Sequence, residues 1–419
     1  MAGVLGLAAY IVVYATGVAH PPIRSDGFSY YVYLPSWFIF HDLSLREVAR
    51  DCCGGEFPEF SAIIRWPGTR RWVNAHPIGV AIMQAPFFLL GHLLTKWSNL
   101  SPDGFTFYYQ HSAGLAGLFW MVAGLVALRR LLLRQFNDRT TAATLVVVTF
   151  ATSLFHYGTF DSSYSHVYSF FLFTAFMVLT DTWYRNPRRF TSWLVGVTAG
   201  LIVLTRHPNA LFLLVFPLYG ITRGGAVLER LQEFKRRLPD LLKVVGAATL
   251  VIAPQLLIYF VATGRPLISS YGSLGFNFAE PRLFGVLFSV QKGVFFWAPM
   301  LLIGVVGLIV SRGMTRSFAL AGGVFLIVNT YLIASWWDWQ FGASFGHRGF
   351  VDSYPLLALG IACVFDRIAQ KRMLIAATSV VVLVAVLVST VQMLQYWYHV
   401  MPMSDTTWDQ YRAVFMHLR

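Results

Sequence analysis

Residues 109–155 read YQHSAGLAGLFWMVAGLVALRRLLLRQFNDRTTAATLVVVTFATSLF. The first twenty carry no Asp, Glu, Lys or Arg. Arg129, Arg130, Arg134 and Arg139 then crowd a short connection, and a second apolar run follows from Thr141 to Phe155. An uncharged run of that length matches the roughly 30 Å hydrocarbon core of a bilayer. Lys and Arg in a short connection mark its cytoplasmic side. The stretch reads as one span entering the cytoplasm and a second returning.

The same unit recurs. Further apolar runs lie at 3–19, 77–95, 166–183, 190–205, 209–222, 243–263, 294–311, 317–336, 351–365 and 373–396. From Tyr109 onward every second connection is basic. The clusters at 129–139, 185–189, 223–243, 312–316 and 367–372 hold 18 of the 32 Lys and Arg. Only 12% of the 419 residues are charged and 56% are hydrophobic; a soluble domain is about 25% charged. That excludes disorder, a coiled coil and a nucleic-acid module, and leaves too little polar residue to coat a soluble globule. The net charge of +13 is then largely an orientation signal.

Three cysteines are too few for a disulfide framework. Cys52 and Cys53 are adjacent and could form only a strained vicinal bridge; Cys363 lies in an apolar run. No Cys/His spacing reads as a zinc site. Run 3–19 lacks a basic leader and a small-residue cleavage site, so it is expected to be a retained span.

Segment 77–95 decides between eleven and twelve spans. It opens with His76-Pro77, carries Pro86 in its middle and has His92 near its end. Those residues suit an amphipathic helix at the headgroup level. The expected fold is an all-α polytopic transmembrane bundle of about eleven spans, forming one domain over 1–419. Its first outer loop, 20–108, carries interfacial helices. An outer tail spans 397–419, and 226–238 forms a cytoplasmic surface helix.

Polar residues collect in the outer connections, whereas a transporter usually keeps them inside its spans. Arg24-Ser25-Asp26-Gly27-Phe28-Ser29-Tyr30-Tyr31 puts an acidic residue at the outer surface, before a glycine that permits a sharp turn. A carboxylate at a dry interface can take a proton from an incoming hydroxyl. Equally, Asp26 could cap the next helix and pair with Arg24. Tyr30 and Tyr31 stand beside it as candidate substrate contacts. In Asn74-Ala75-His76-Pro77 the proline suits a helix start, while His76 could bond a phosphate or a sugar hydroxyl. Asp161 and His166 flank a short polar connection that is either a ligand contact or simply solvated.

Arg206-His207-Pro208 joins runs of about 16 and about 14 residues, both short for a crossing. A cation at that depth is costly unless it is paired or faces an aqueous site. Arg206 therefore reads as an anion binder, with His207 beside it. The stretch WWDWQFGASFGHRG (336–349) exceeds the needs of an aromatic belt. Trp337 offers a face to a sugar, Asp338 and His347 offer hydrogen bonds, and Arg348 offers a fork that matches phosphate. Asp352 is placed to orient Arg348. Lys292 could meet a phosphate or snorkel to headgroups.

On these motifs the chain resembles the GT-C superfamily of integral-membrane glycosyltransferases, within it the branch of protein O-mannosyltransferases and aminoarabinose transferases. Such enzymes place a catalytic acidic residue early in a large first outer loop, as Asp26 is placed. Several members have an acidic pair there, and Asp26-Gly27 departs from it. Their interfacial helix opens with a Pro-containing motif, similar to His76-Pro77-Ile78-Gly79. Their Gly-Leu…Leu-Thr-Lys/Arg-x-Pro pattern puts a cation near the donor phosphate. Gly200-Leu201, followed by Leu204-Thr205-Arg206-His207-Pro208, is similar. Many members add a soluble C-terminal domain; here only 397–419 follows the last span, so acceptor recognition is expected to fall to the first outer loop or a partner.

Residues and resemblance together lead to the expectation of a glycosyltransferase of the bacterial inner membrane, acting at its extracytoplasmic face. A polyprenyl-phosphate sugar would be the donor and a glycan, lipid or protein the acceptor. Asp26 would be the general base of an inverting displacement, with Arg206, Arg348 and Lys292 on the donor phosphate. No cofactor is required, although Asp26 with Asp161 or Asp338 could hold a divalent metal. One rival is a flippase or transporter of lipid-linked sugar, with polar residues inside its spans. Another is a membrane glycan ligase or polymerase, which would use the outer basic residues without a single essential base.

Overall fold

Apolar runs of this kind fold as helices because a helix satisfies each backbone N–H and C=O within its own segment. The structure, a computed structural model, describes residues 1–18, 21–59, 61–69, 71–186, 188–222, 226–268 and 275–418. Ala19, His20, Arg70, Arg223 and Arg419, which bound loops or contribute charge above, lie outside the described residues.

The chain opens with α1 (Ala2–Ala15), α2 (Asp26–Tyr31), α3 (Tyr33–Phe38) and α4 (Arg46–Cys53). Cys52 and Cys53 are joined by a disulfide. An antiparallel hairpin of β1 (Ile63–Arg65) and β2 (Trp72–Asn74) pairs Ile64 with Val73. Then come α5 (Gly79–Trp97), α6 (Phe107–Leu132), α7 (Asp138–Phe150), α8 (Leu154–Thr159), α9 (His166–Arg185) and α10 (Arg189–Thr205). A 3-10 segment (His207–Leu214) leads to α11 (Val215–Leu218), α12 (Ala226–Arg236), α13 (Leu238–Thr263), α14 (Leu283–Phe288) and α15 (Val294–Trp297). The chain continues through α16 (Met300–Ile309), α17 (Gly313–Ser335), a 3-10 turn (Arg348–Ser353), α18 (Tyr354–Ile368), α19 (Arg372–Trp397) and α20 (Trp408–Val414).

Among the described residues five helices are long and apolar enough to cross a membrane: α6, α13, α17, the 3-10 turn continued by α18, and α19. The protein is an integral-membrane helical bundle. Shorter apolar helices at Ala2–Ala15, Phe190–Thr205, His207–Leu218 and Met300–Ile309 fall on other expected spans. The run at 209–222 departs from a regular span. Pro208 opens it, Pro217 interrupts it and Gly220 turns the chain at φ 75°, so it forms 3-10 helix and one short α-helical turn.

Helix α5 starts at the end of α10, where a Cβ on Gly79 would lie 2.4 Å from the Leu204 carbonyl. It then runs back along the first half of α6, with Phe87 against Phe119 and Gly91 against Ser112. It is not among the five helices long and apolar enough to cross. Helices α16 and α18 approach backbone to backbone: a Cβ on Gly307 would lie 1.9 Å from the Gly360 carbonyl oxygen. Small residues at such crossings let helices associate in lipid by close packing. At the arginine-rich end, fully buried Asp181 binds Arg134, Arg185 and Tyr219. Part of the basic signal therefore also neutralises a buried carboxylate, which is tolerated only with such partners.

Candidate functional site

The loops that end opposite those basic connections converge. Asp26 begins α2, and the chain reaches it through Ser25, whose φ of 46° lies in the left-handed region. A non-glycine residue keeps that conformation only when its surroundings impose it. Here Ile23 N–H donates to Gln110 Oε1 (2.9 Å) and Ser163 Oγ donates to the Pro22 carbonyl (2.6 Å). Arg24 donates to the Phe160 carbonyl (3.1 Å) and to Asp161 Oδ1 (2.8 Å). Gly27 presses on the same loop: an added Cβ would lie 1.9 Å from Ser163 Oγ.

Arg348 reaches this turn from far along the chain. Its Nη1 donates to Asp26 Oδ2 at 2.8 Å across 322 positions. The two side chains are 12% and 29% exposed, so the pair is sheltered without being sealed. Burial pushes the Asp26 carboxyl up, but Arg348, then His76, His166 and Arg206, outweigh it and hold the group below the usual carboxylate range.

Arg206 sits in extended backbone between α10 and the 3-10 segment, and Pro208 has no N–H with which to continue the α10 ladder to the Leu204 carbonyl. Its Nη1 donates to Asp352 Oδ2 at 3.3 Å, and His166 Nδ1 lies 3.4 Å from the other Asp352 oxygen. The Arg206 and Arg348 guanidinium groups both face the Phe341 ring, at 5.4 and 5.8 Å. Phe341 and Gly342 both adopt φ 57°, in a turn where Asp338 Oδ1 accepts the Gly342 N–H at 3.3 Å.

Two histidines face this centre. His76 stacks on Tyr30 with ring centroids 4.3 Å apart, and its Nδ1 has no hydrogen-bond partner among the described residues. Burial pushes its imidazole down to about 4, against the pull of Asp26. His347 is buried, close to the Trp339 backbone, with its ring 5.7 Å from that of Phe341. Burial, then the Lys292 charge, push it down to about 3. Both rings are neutral and can hydrogen-bond a hydroxyl in either direction.

The other candidate residues lie apart from this centre or are bonded elsewhere. Tyr31 points away: its hydroxyl donates to the Gly104 carbonyl at 2.6 Å, and its ring packs on Phe88 and Phe105. Neighbouring helical residues diverge by about 100°, so Tyr30 and Tyr31 cannot both face His76. Asp161 is committed to structure. Its Oδ1 takes Arg24, and its Oδ2 accepts from His156 Nε2 (2.9 Å), whose Nδ1 accepts from Trp397 Nε1 (2.9 Å). Burial pushes the Asp161 carboxyl up, but Arg24 and His156 outweigh it and hold it well below the usual range. Asp352, read as a partner for Arg348, pairs with Arg206 instead. His207 is exposed, its ring 6.4 Å from that of Tyr259. Trp337 is 56% exposed, beside Trp336. Phe341 and His156 escaped the sequence reading because each sits within an aromatic or apolar stretch.

A lipid-facing groove of about 940 Å³ runs along α17 from Arg316 past Leu320, Gly323 and Ile327 to Tyr331. Fifteen helical rises, from Arg316 to Tyr331, make that path about 22 Å long. Leu287, Leu308 and Phe350 also line it. Phe350 belongs to the 3-10 turn that carries Arg348 and Asp352. Among the described residues no group of three His, Cys, Asp or Glu is placed to hold a metal ion.

Comparison with family models, characterised proteins and solved structures finds no match to this chain.

Lys292 is enclosed by the protein and bonds backbone carbonyls. It is 2% exposed, and its Nζ donates to the carbonyls of Ser344 and Met403, the latter at 2.9 Å. It thereby ties the 342–346 loop to the C-terminal tail. Burial, with Arg348 nearby, pushes its ammonium down to about 7. Between about pH 7 and about 10 the folded protein then binds fewer protons here than the unfolded chain, so stability should rise with pH over that window. Below about pH 7 the full cost of the buried charge applies. Lys292→Met should flatten this dependence, read as thermal midpoints in detergent from about pH 6.5 to about 9.5.

Proposed function

We propose that this chain is a glycosyltransferase that moves a sugar from a polyprenyl-phosphate donor to an acceptor hydroxyl at the outer membrane face. Asp26 meets Arg348 at 2.8 Å, the guanidinium groups of Arg348 and Arg206 both face Phe341, and Phe350, two residues after Arg348, lines an apolar groove; this meeting carries the proposal. A base candidate, two phosphate-matching cations and a path for an apolar tail are the parts such a reaction needs. The likeness of the outer-loop motifs to GT-C glycosyltransferases supports the same reading. The proposal includes an eleven-span topology with these loops outside, in a bacterial inner membrane.

In the proposed reaction the acceptor oxygen bonds to the anomeric carbon as the bond from that carbon to the phosphate oxygen breaks. The hydroxyl proton passes to Asp26. The electron pair leaves with the prenyl phosphate, whose growing charge Arg206 and Arg348 stabilise. A single displacement inverts the anomeric centre. The neutral imidazoles of His76 and His347 hydrogen-bond sugar hydroxyls, and the groove takes the prenyl chain.

The test is incubation of the purified protein in lipid nanodiscs with a panel of radiolabelled polyprenyl-phosphate sugars. One donor is expected to release prenyl phosphate and label an acceptor. Gly323→Phe should raise the KM for that donor about tenfold by filling the groove. The position tolerates the change, since an added Cβ meets nothing within 4 Å. Transfer from none of the donors, or an unchanged KM in the Phe variant, would count against the proposal.

A further inference from the structure

Asp26 and Arg348 each have a part in the proposed reaction, yet they are bonded to one another. Resting on the glycosyltransferase reading, we infer that the donor unmasks the base: its phosphate takes Arg348 from Asp26, and the freed carboxylate accepts the proton of the acceptor hydroxyl.

Charge balance is the first argument. The ion pairs at the centre comprise two guanidinium groups, of Arg206 and Arg348, and two carboxylates, of Asp26 and Asp352. A phosphate anion arriving there adds a charge without a counter-ion unless one carboxylate gives up its partner, and unpaired charge in a sheltered site is costly.

The exchange falls on Asp26 for structural reasons. Asp352 is 2% exposed and shared between Arg206 and His166, so losing a partner would strand it. Asp26 is 29% exposed, and Arg348 is its one direct side-chain partner among the described residues. Its backbone cannot follow the arginine away, because Ile23, Arg24 and Gly27 are pinned by Gln110, Asp161 and Ser163. Arg348 can turn. Its Nε has no partner among the described residues, and it rests over Tyr164 and Phe341 at 5.5 and 5.8 Å. A guanidinium can keep those aromatic contacts while exchanging a carboxylate for a phosphate, which its fork fits equally well.

The cycle closes without a further reactant. When the acceptor oxygen bonds the anomeric carbon, its proton goes to Asp26 and the electron pair goes to the phosphate held by Arg348. As prenyl phosphate leaves, Asp26 passes its proton to water and Arg348 returns to it. The acceptor hydroxyl is thus activated only beside a seated donor.

The test uses sugar-free polyprenyl phosphate as ligand. Its dissociation constant is measured for the wild-type protein in nanodiscs, Asp26→Asn, Arg348→Gln and the double variant. Asp26→Asn should bind about tenfold tighter than wild type, and the gain should vanish when Arg348 is replaced. Asp26→Ser serves if the Asn variant does not fold. Equal affinity in wild type and Asp26→Asn overturns the inference. So does the same gain with and without Arg348, which would reflect simple removal of a negative charge. Binding by none of the four proteins overturns the glycosyltransferase reading and this inference with it.

Discussion

Asp26→Asn should cut sugar transfer by about 10²–10⁴-fold, the range a general base contributes. Asparagine has the shape of aspartate and can still accept a hydrogen bond from Arg348, so the turn and its neighbours should hold. It cannot take a proton from an acceptor hydroxyl. The loss should therefore appear in kcat, with no rise in the KM for the donor. A variant folded as well as wild type that keeps full transfer would remove Asp26 from the chemistry and return it to helix start and ion pair, the other role its position allows.

The arginines should fail differently from Asp26 and from each other. Arg206→Ala and Arg348→Ala should each weaken binding of polyprenyl phosphate by about 10–100-fold, as expected for loss of a hydrogen bond to a charged group. Their structural costs should diverge. Without Arg206, buried Asp352 keeps, among the described residues, only His166, at 3.4 Å. Leaving a buried carboxylate short of its partner costs about 3–5 kcal/mol, so this variant should also melt early. Without Arg348, Asp26 can turn its 29% exposed side chain to water, so the melting point should move little while affinity falls. Lysine at either position keeps the charge without the planar fork and should restore only part of the affinity. Unchanged prenyl-phosphate affinity in both alanine variants would remove the phosphate assignment.

Asp26, Arg206 and Arg348 were visible in the sequence because charge is rare in an apolar chain, and a charge retained near the membrane needs a reason. Their pairing was hidden. Asp26 meets Arg348 across 322 positions and Arg206 meets Asp352 across 146, which no local pattern encodes. The partners of Asp161 were hidden in the same way. A polar residue in a short connection looks solvated or ligand-facing until Arg24, 137 positions earlier, and His156 are found to occupy both its oxygens. Lys292 looked like a headgroup or phosphate contact because its acceptors are backbone carbonyls, which every sequence possesses and none advertises. Apolar runs marked where helices lie, but not that 207–214 would wind as 3-10 helix around Pro208. Nor did they show that α5 would fold back along α6.

The most direct measurement is an experimental structure of the protein in nanodiscs with polyprenyl phosphate bound. The phosphate is expected within hydrogen-bond reach of both Arg206 and Arg348, with Asp26 released from Arg348 and the prenyl chain in the groove past Leu287, Leu308 and Ile327. A phosphate seated away from both arginines, or a chain bound to a different face with the Asp26–Arg348 pair intact, would contradict it.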